Sequence, residues 1–230
     1  MWYNLFGDSM LLKNIKAQVR MLMEEWNLGT LESGAPHELC AFIYLLEIIE
    51  ETEKFVYYRE NGKLLGFAGY SKNGSRKHLF RKKLAKFIRE QLYKSKKIKD
   101  KDALLNYDET YDYVPEELKN YFDGELSILI LDKKARSKGI GKKLLTDIFT
   151  LAKKDDLKNL QILTDDSCSY YIYEATGCKR VFDTTIKSKE YGEDGKMHEE
   201  KAYIYMKKCC KEVCYVSKCF TWNCFYVYFS

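Results

Sequence analysis

The chain has 230 residues, a net charge of +5 and an apolar fraction of 46 %, with 19 Tyr and 12 Phe among them. That is ample for the core of one domain, or of one domain with an insertion. No apolar run is long enough to cross a bilayer and the N-terminus lacks the layout of a secretory signal, so a cytoplasmic protein without a membrane partner is expected.

In chain order, Asp8 caps a predicted helix to about Glu25, with Met10, Leu11, Ile15, Val19 and Leu22 on one face. After a loop from Gly29 to Gly34, Pro36 opens a second helical pattern to about Glu53. Residues 55–59 and 64–70 read as two strands, joined by a tight hairpin at Asn61-Gly62. Residues 75–102 then carry twelve Lys or Arg against three acids, a net of +9 that leaves the rest of the protein at −4. They form a predicted basic amphipathic helix with Phe80, Leu84, Phe87, Ile88 and Leu92 along one stripe. An acidic and aromatic run follows, from Tyr107 through Tyr113 to Asp123.

Glu125-Leu-Ser-Ile-Leu-Ile-Leu-Asp132 reads as a buried strand, followed by a basic turn with Gly139 and Gly141 and an amphipathic helix over about 139–154. A second apolar strand covers 159–164, and a closing hairpin pairs 179–186 with 201–207 across a polar loop from Lys187 to Glu200. Five of the eight cysteines crowd into 209–230, a Cys- and aromatic-rich tail read as an extension to a domain of 1–208. Its spacing has no CxxC pair and matches no common zinc pattern, so no metal is expected.

The turn carries the chemistry. Spaced glycines let the backbone approach a bulky group, a helix start presents unpaired N–H groups, and Lys138, Lys142 and Lys143 add positive charge. A dinucleotide fingerprint needs a glycine at position 144, which is Leu, and a P-loop needs a hydroxyl residue where Lys143 stands. The remaining pattern is Arg/Gln-x-x-Gly-x-Gly/Ala. Arg136-Ser-Lys-Gly-Ile-Gly141 resembles this pyrophosphate loop of the GNAT acyltransferase superfamily at every defined position. Further on, Ile172-Tyr173-Glu-Ala-Thr-Gly177-Cys178 resembles the aromatic-Tyr-Glu-x-x-Gly-Phe signature of the last GNAT helix, in the right order and at the right separation. The resemblance is loose over 1–208 and close over 124–186.

It implies an α/β (α+β layered) fold: a mixed, mostly antiparallel sheet flanked by helices, with a helical insertion (about 72–123) between strands three and four of the family's count. It implies an N-acetyltransferase that moves acetyl from acetyl-CoA to a primary amine by direct attack. The pantetheine arm would pair with the strand edge near Leu129, Ile130 and Leu131, and the pyrophosphate would sit on the N–H groups of Arg136, Ser137, Lys138, Gly139, Ile140, Gly141 and Lys142. Tyr173 takes the place of the Tyr that meets the CoA sulfur and serves as general acid, with ring packing as its plain reading and Tyr170 and Tyr171 as rivals. Glu125 is the base candidate, or else a surface glutamate at a strand edge. Asp166 stands where many members have an Asn that contacts CoA, and Cys178 replaces the usual Phe. Cys168 reads as a small buried filler.

The insertion is expected to wall the acceptor pocket, and its acidic and aromatic run suits a cationic small-molecule or peptide amine. A non-catalytic module that binds CoA, or docks on nucleic acid through the basic helix, is the alternative, although a nucleic-acid partner is not expected. A homodimer is allowed.

Overall fold

A computed structural model describes residues 9–105, 113–191 and 197–209. The tail beyond Cys209 and the first six residues of the acidic–aromatic run, 107–112, lie outside the described residues. Helices α1 (Ser9–Glu25), α2 (Thr30–Ser33) and α3 (His37–Glu51) precede the hairpin β1 (Lys54–Glu60) and β2 (Lys63–Lys72). The insertion holds α4 (Leu79–Leu92), α5 (Lys101–Leu105) and α6 (Glu116–Lys119). Then come β3 (Gly124–Leu131), α7 (Ile140–Lys154), β4 (Asn159–Asp165), α8 (Tyr171–Ala175), β5 (Lys179–Tyr191) and β6 (Met197–Lys208). The six strands form one sheet in the order β1-β2-β3-β4-β6-β5, antiparallel except for the β3–β4 pair.

Asn61 and Gly62 both have positive φ, at 50° and 74°, the geometry of a two-residue hairpin turn. β2 is covered on both faces: Phe67 packs into the α1–α3 cluster, Ala68 and Tyr70 into the α7 cluster. Such a strand reads as a continuous apolar run. α7 buries Ile140, Leu144, Leu145, Ile148, Phe149 and Ala152 on one stripe. At the other end of the sheet, Tyr113, Val114, Leu118 and Phe122 of the insertion cover Leu163, Ile204 and Met206.

Three expectations are corrected. Among the described residues no strand precedes Lys54, so the insertion joins the second and third strands of this sheet. The polar stretch 187–200 is not all loop, because β5 runs on to Tyr191 and β6 begins at Met197. The stripe of α4 is also rotated. Ala85, Ile88 and Leu92 are buried, whereas Phe80 and Phe87 are 81 % and 58 % exposed. The cause is electrostatic. Arg81 donates to Thr52 O at 2.5 Å, Lys82 to Glu51 O at 3.0 Å, and Arg89 pairs with Glu47 and Glu50 at 3.1 and 2.6 Å. These cations satisfy the last carbonyls and the acidic end of α3, where the helix dipole favours positive charge. The helix therefore packs on α3, with Arg81 reaching the Phe55 ring at the start of β1.

Asp155, just after α7, ties three elements together. It accepts from Lys54 Nζ at 2.8 Å and from Tyr70 OH at 2.5 Å. Burial pushes its carboxyl up, but the Lys54 ammonium, the Tyr70 hydroxyl and Lys77 outweigh that and hold it below the usual carboxylate range. A depressed native pKa adds stability above the unfolded value, lost as the pH falls through the native one. Asp155→Asn should cost about 1–3 kcal/mol at pH 7, with the gap narrowing below about pH 3.9. Urea unfolding at both pH values checks this, and a gap independent of pH would contradict it.

Candidate active site

β3 and β4 run parallel but pair at two positions only, Gly124 with Leu160 and Glu125 with Gln161. Beyond that rung they part, while β3 stays paired with β2 to Leu131 and β4 with β6 to Asp165. The result is a fork that opens toward the C-terminal ends of both strands, where α/β sheets bind ligands. Asp132 N–H donates to Leu65 O at 2.9 Å. In an antiparallel ladder alternate residues face opposite edges, so Ile130 pairs with Phe67 while the N–H and C=O of Leu129 and Leu131 face the fork. On the other arm Asp166 N–H donates to Lys201 O at 2.9 Å, and the same alternation turns the backbone of Leu163 and Asp165 into the fork.

One irregularity re-aims this edge. Leu126 opposes Tyr70 and Ile128 opposes Gly69, so Ser127 is the extra residue of a bulge. Leu126 accordingly packs with the α7 cluster and Ile128 with the α1–α3 cluster, although two residues apart they would ordinarily share a face. Ser127 shares the α7 face with Leu129 and Leu131. Nothing in the apolar run Leu126–Leu131 announces the bulge.

At the open end of β3, Asp132 accepts from Lys134 N–H at 2.9 Å and starts a short 3₁₀ turn, Lys133–Ala135. Ser137 and Gly139 have φ of 61° and 74°, and Gly139 is the N-cap of α7. No side chain caps that helix start, so its first N–H groups are presented outward with the positive end of the dipole. Lys138 and Lys142 are exposed beside them. Arg20 holds Asp132 at 2.7 Å and Glu25 pairs with Arg136, so the end of α1 clamps the loop from both sides. Lys143 lies over the Tyr58 ring at 5.2 Å. The two glycines serve different needs. A Cβ at Gly139 would meet nothing within 4 Å, so that position is fixed by its φ. A Cβ at Gly141 would stand 2.7 Å from Ile172 Cδ1 and 3.3 Å from Leu131 Cδ1. The bulky group that approaches Gly141 is thus α8 itself.

That contact places α8 against the fork. Tyr173 is buried in the α7 cluster, its ring 5.6 Å from that of Tyr205. Burial pushes its phenol well above the usual tyrosine range, and nearby Cys168 and Cys178 push the same way while Thr164 opposes them. The hydroxyl therefore stays protonated. Burial, then the Asp165 charge, pushes the Cys168 thiol up to about 11, which leaves it neutral. Cys178 is buried, and its N–H donates to Tyr173 O at 2.9 Å. The Tyr170 ring lies tilted against that of Tyr171 and faces Arg180, while Tyr171 is 66 % exposed, so neither rival shares the buried setting of Tyr173. Glu174 is held by Tyr205 OH at 2.7 Å and Arg180 at 3.0 Å, which anchors α8 to β5 and β6. Asp166 has a task that its place in the motif does not suggest: its carboxylate accepts from Lys201 N–H at 3.2 Å and extends the β4–β6 ladder.

Glu125 stands at the last rung of the fork, on the sheet face opposite Leu126 and Ser127. On that face Tyr113 lies close enough for burial, Asp165 and Glu125 to push its phenol well above the usual range. The Tyr113 hydroxyl sits over the Thr164–Tyr203 rung, donating to Thr164 O at 3.0 Å and accepting from Thr164 N–H at 3.1 Å. Glu125 and Tyr173 are thus on opposite faces at the same fork, with Asp165 felt from both. Tyr113, Ser127 and Thr164 also stand at the fork and were not among the expected site residues. Of these only Tyr113 carried a signal, in the acidic–aromatic run.

A fork between two parallel strands, with a glycine turn and an uncapped helix at the end of one arm, is the architecture of the GNAT fold. Solved structures share the fold. Arylalkylamine N-acetyltransferase 2 from Aedes aegypti superposes with a TM-score of 0.52 at 17 % identity, over 88 % of this chain and 97 % of that one. An N-acetyltransferase from Staphylococcus aureus Mu50 gives 0.51 at 15 % identity, over 88 % and 96 %. A further acetyltransferase gives 0.52 at 18 % identity, over 86 % and 95 %. No family profile matches the sequence, and no curated protein matches it by sequence. The chain has the GNAT N-acetyltransferase fold. Among the described residues no helix is long and apolar enough to cross a membrane, and no group of three or more His, Cys, Asp and Glu could hold a metal.

Proposed function

We propose that this protein is an N-acyltransferase that moves acetyl from acetyl-CoA to a primary amine by direct attack in a ternary complex. The observation that carries the reading is the fork itself. Its free backbone edge at Leu129 and Leu131 leads straight to the uncapped start of α7. A strand edge that can pair with an amide-bearing arm, ending at a helix start that favours phosphate, suits pantetheine followed by pyrophosphate. Residues 136–142 would hold the pyrophosphate through their N–H groups, with Lys138 and Lys142 beside it. Ile130 contributes its side chain to the core, and Asp166 keeps its task on β6.

The two faces divide the labour. The α7 face carries the donor side, where Tyr173 donates a hydrogen bond to the departing sulfur. The opposite face carries the acceptor side, where Glu125 takes a proton from the incoming ammonium, directly or through water. Tyr113 and Asp165 on that face favour a cationic amine. Of the twelve cations in 75–102 only Arg81, Lys82 and Arg89 are turned onto α3, and the other nine are exposed, so the nucleic-acid alternative keeps a basic surface while the fork favours the acyl-CoA reading.

The test is release of free CoA from acetyl-CoA with a polyamine, an aminoglycoside, a lysine peptide and an arylalkylamine offered in turn. Amine-dependent release with at least one of them is expected, and none with any would count against the reading. With the best amine, Glu125→Gln should lower kcat/KM about 10²-fold. An unchanged kcat/KM would exclude Glu125 as the base.

A further inference from the structure

Seven buried side-chain polar atoms have no hydrogen-bond partner among the described residues, and they fall into two groups. Five belong to Thr52, Glu53, Arg81 and Arg89, at the contact of α4 with the end of α3. The other two, Ser127 Oγ and Thr164 Oγ1, stand on the two arms of the fork, both on the α7 face. Thr164 lies two residues beyond Ile162 of the α7 cluster, close enough to the Tyr173 phenol and the Cys168 thiol to draw both pKa values down. Among the described residues Ser127 Oγ has no hydrogen-bond partner. It exists in this position only because the bulge inserts it, two residues beyond the last β3–β4 rung.

Buried hydroxyls are ordinarily hydrogen-bonded, and an orphaned one destabilises the fold unless something else supplies the partner. Bulges recur beside binding sites because they re-aim a side chain. We infer that Ser127 is a positioning residue, its hydroxyl directed at the acyl-thioester end of the bound donor. This rests on the acyl-CoA reading above. Tyr173 belongs to the same α7 cluster as Leu129 and Leu131, the free-edge residues that follow Ser127 on its face. Ser127 then fixes the acyl group while Tyr173 serves the sulfur, and free CoA, which lacks the acyl carbonyl, gains nothing from it.

The experiment compares the wild type, Ser127→Ala and Thr52→Val by thermal unfolding without ligand and by titration with acetyl-CoA and with CoA. A hydroxyl that only supports the fold lowers the melting temperature when removed. A hydroxyl kept for a ligand leaves it unchanged or raised. Ser127→Ala should keep or gain stability, bind CoA like the wild type, and bind acetyl-CoA about 5- to 30-fold more weakly. Thr52→Val, an orphaned hydroxyl away from the fork, should change neither affinity. Equal loss for CoA and acetyl-CoA with a lower melting temperature would make Ser127 structural and overturn the inference. Unchanged acetyl-CoA affinity would overturn it too. A wild type that binds neither ligand would instead remove the acyl-CoA reading on which it stands.

Discussion

Tyr173→Phe should lower the turnover of amine acetylation by about 10²–10⁴ while leaving acetyl-CoA affinity nearly unchanged. The substitution keeps the ring that packs against Tyr205 and α7 and removes only the hydroxyl. Burial makes this phenol a weaker acid than usual, so it does not lose its proton to solvent at any physiological pH. What it offers the leaving sulfur is a hydrogen bond in a low-dielectric site, where such a bond to developing negative charge is strong. The rate should therefore show no basic limb from this group below about pH 10. Steady-state kinetics with saturating acetyl-CoA decide the matter. Unchanged turnover would leave Tyr173 only its packing.

Gly141→Leu should abolish acetyl-CoA binding. Even the first carbon of the new side chain would lie 2.7 Å from Ile172, well inside van der Waals contact, and Leu131 blocks the other side at 3.3 Å. Both contacts are ends of flexible side chains that could turn away from a methyl, so it is the further carbons of leucine that must push the start of α7 or α8 aside. Both moves matter, since one carries the phosphate-facing N–H groups and the other carries Tyr173. Gly139→Leu meets no atom within 4 Å, and its effect comes only from a φ of 74° that disfavours a branched residue. It should weaken binding less and cost about 1 kcal/mol or more of stability. Equilibrium binding of acetyl-CoA separates the two. Retained affinity in Gly141→Leu would remove the loop from the binding site.

What was legible in the sequence had a local cause. Asn61-Gly62 and Gly139 announce positive φ because few other residues adopt it, and the apolar period of α7 and the unbroken run of β2 follow from which faces are covered. What was hidden depended on distant partners. Phe80 and Phe87 share a periodic stripe with Ile88 and Leu92, yet the acidic end of α3 draws the cations inward and turns those two rings out. The bulge at Ser127 follows from the register with β2, which no residue of β3 encodes by type. The polar ends of β5 and β6 read as loop because residues 187–200 carry no apolar alternation. Asp166 and Gly141 were placed by motif, and their partners, Lys201 and Ile172, come from elements the motif does not mention.

Thermal unfolding with and without acetyl-CoA, with ATP and NAD at matched concentration, tests the central claim most directly. At about 100 times its dissociation constant a ligand adds about 2.7 kcal/mol of stability, a rise of a few degrees for a domain of this size. A rise with acetyl-CoA, absent in Gly141→Leu and absent with ATP and NAD, is the result expected. A well-folded protein whose melting temperature acetyl-CoA does not move would contradict it.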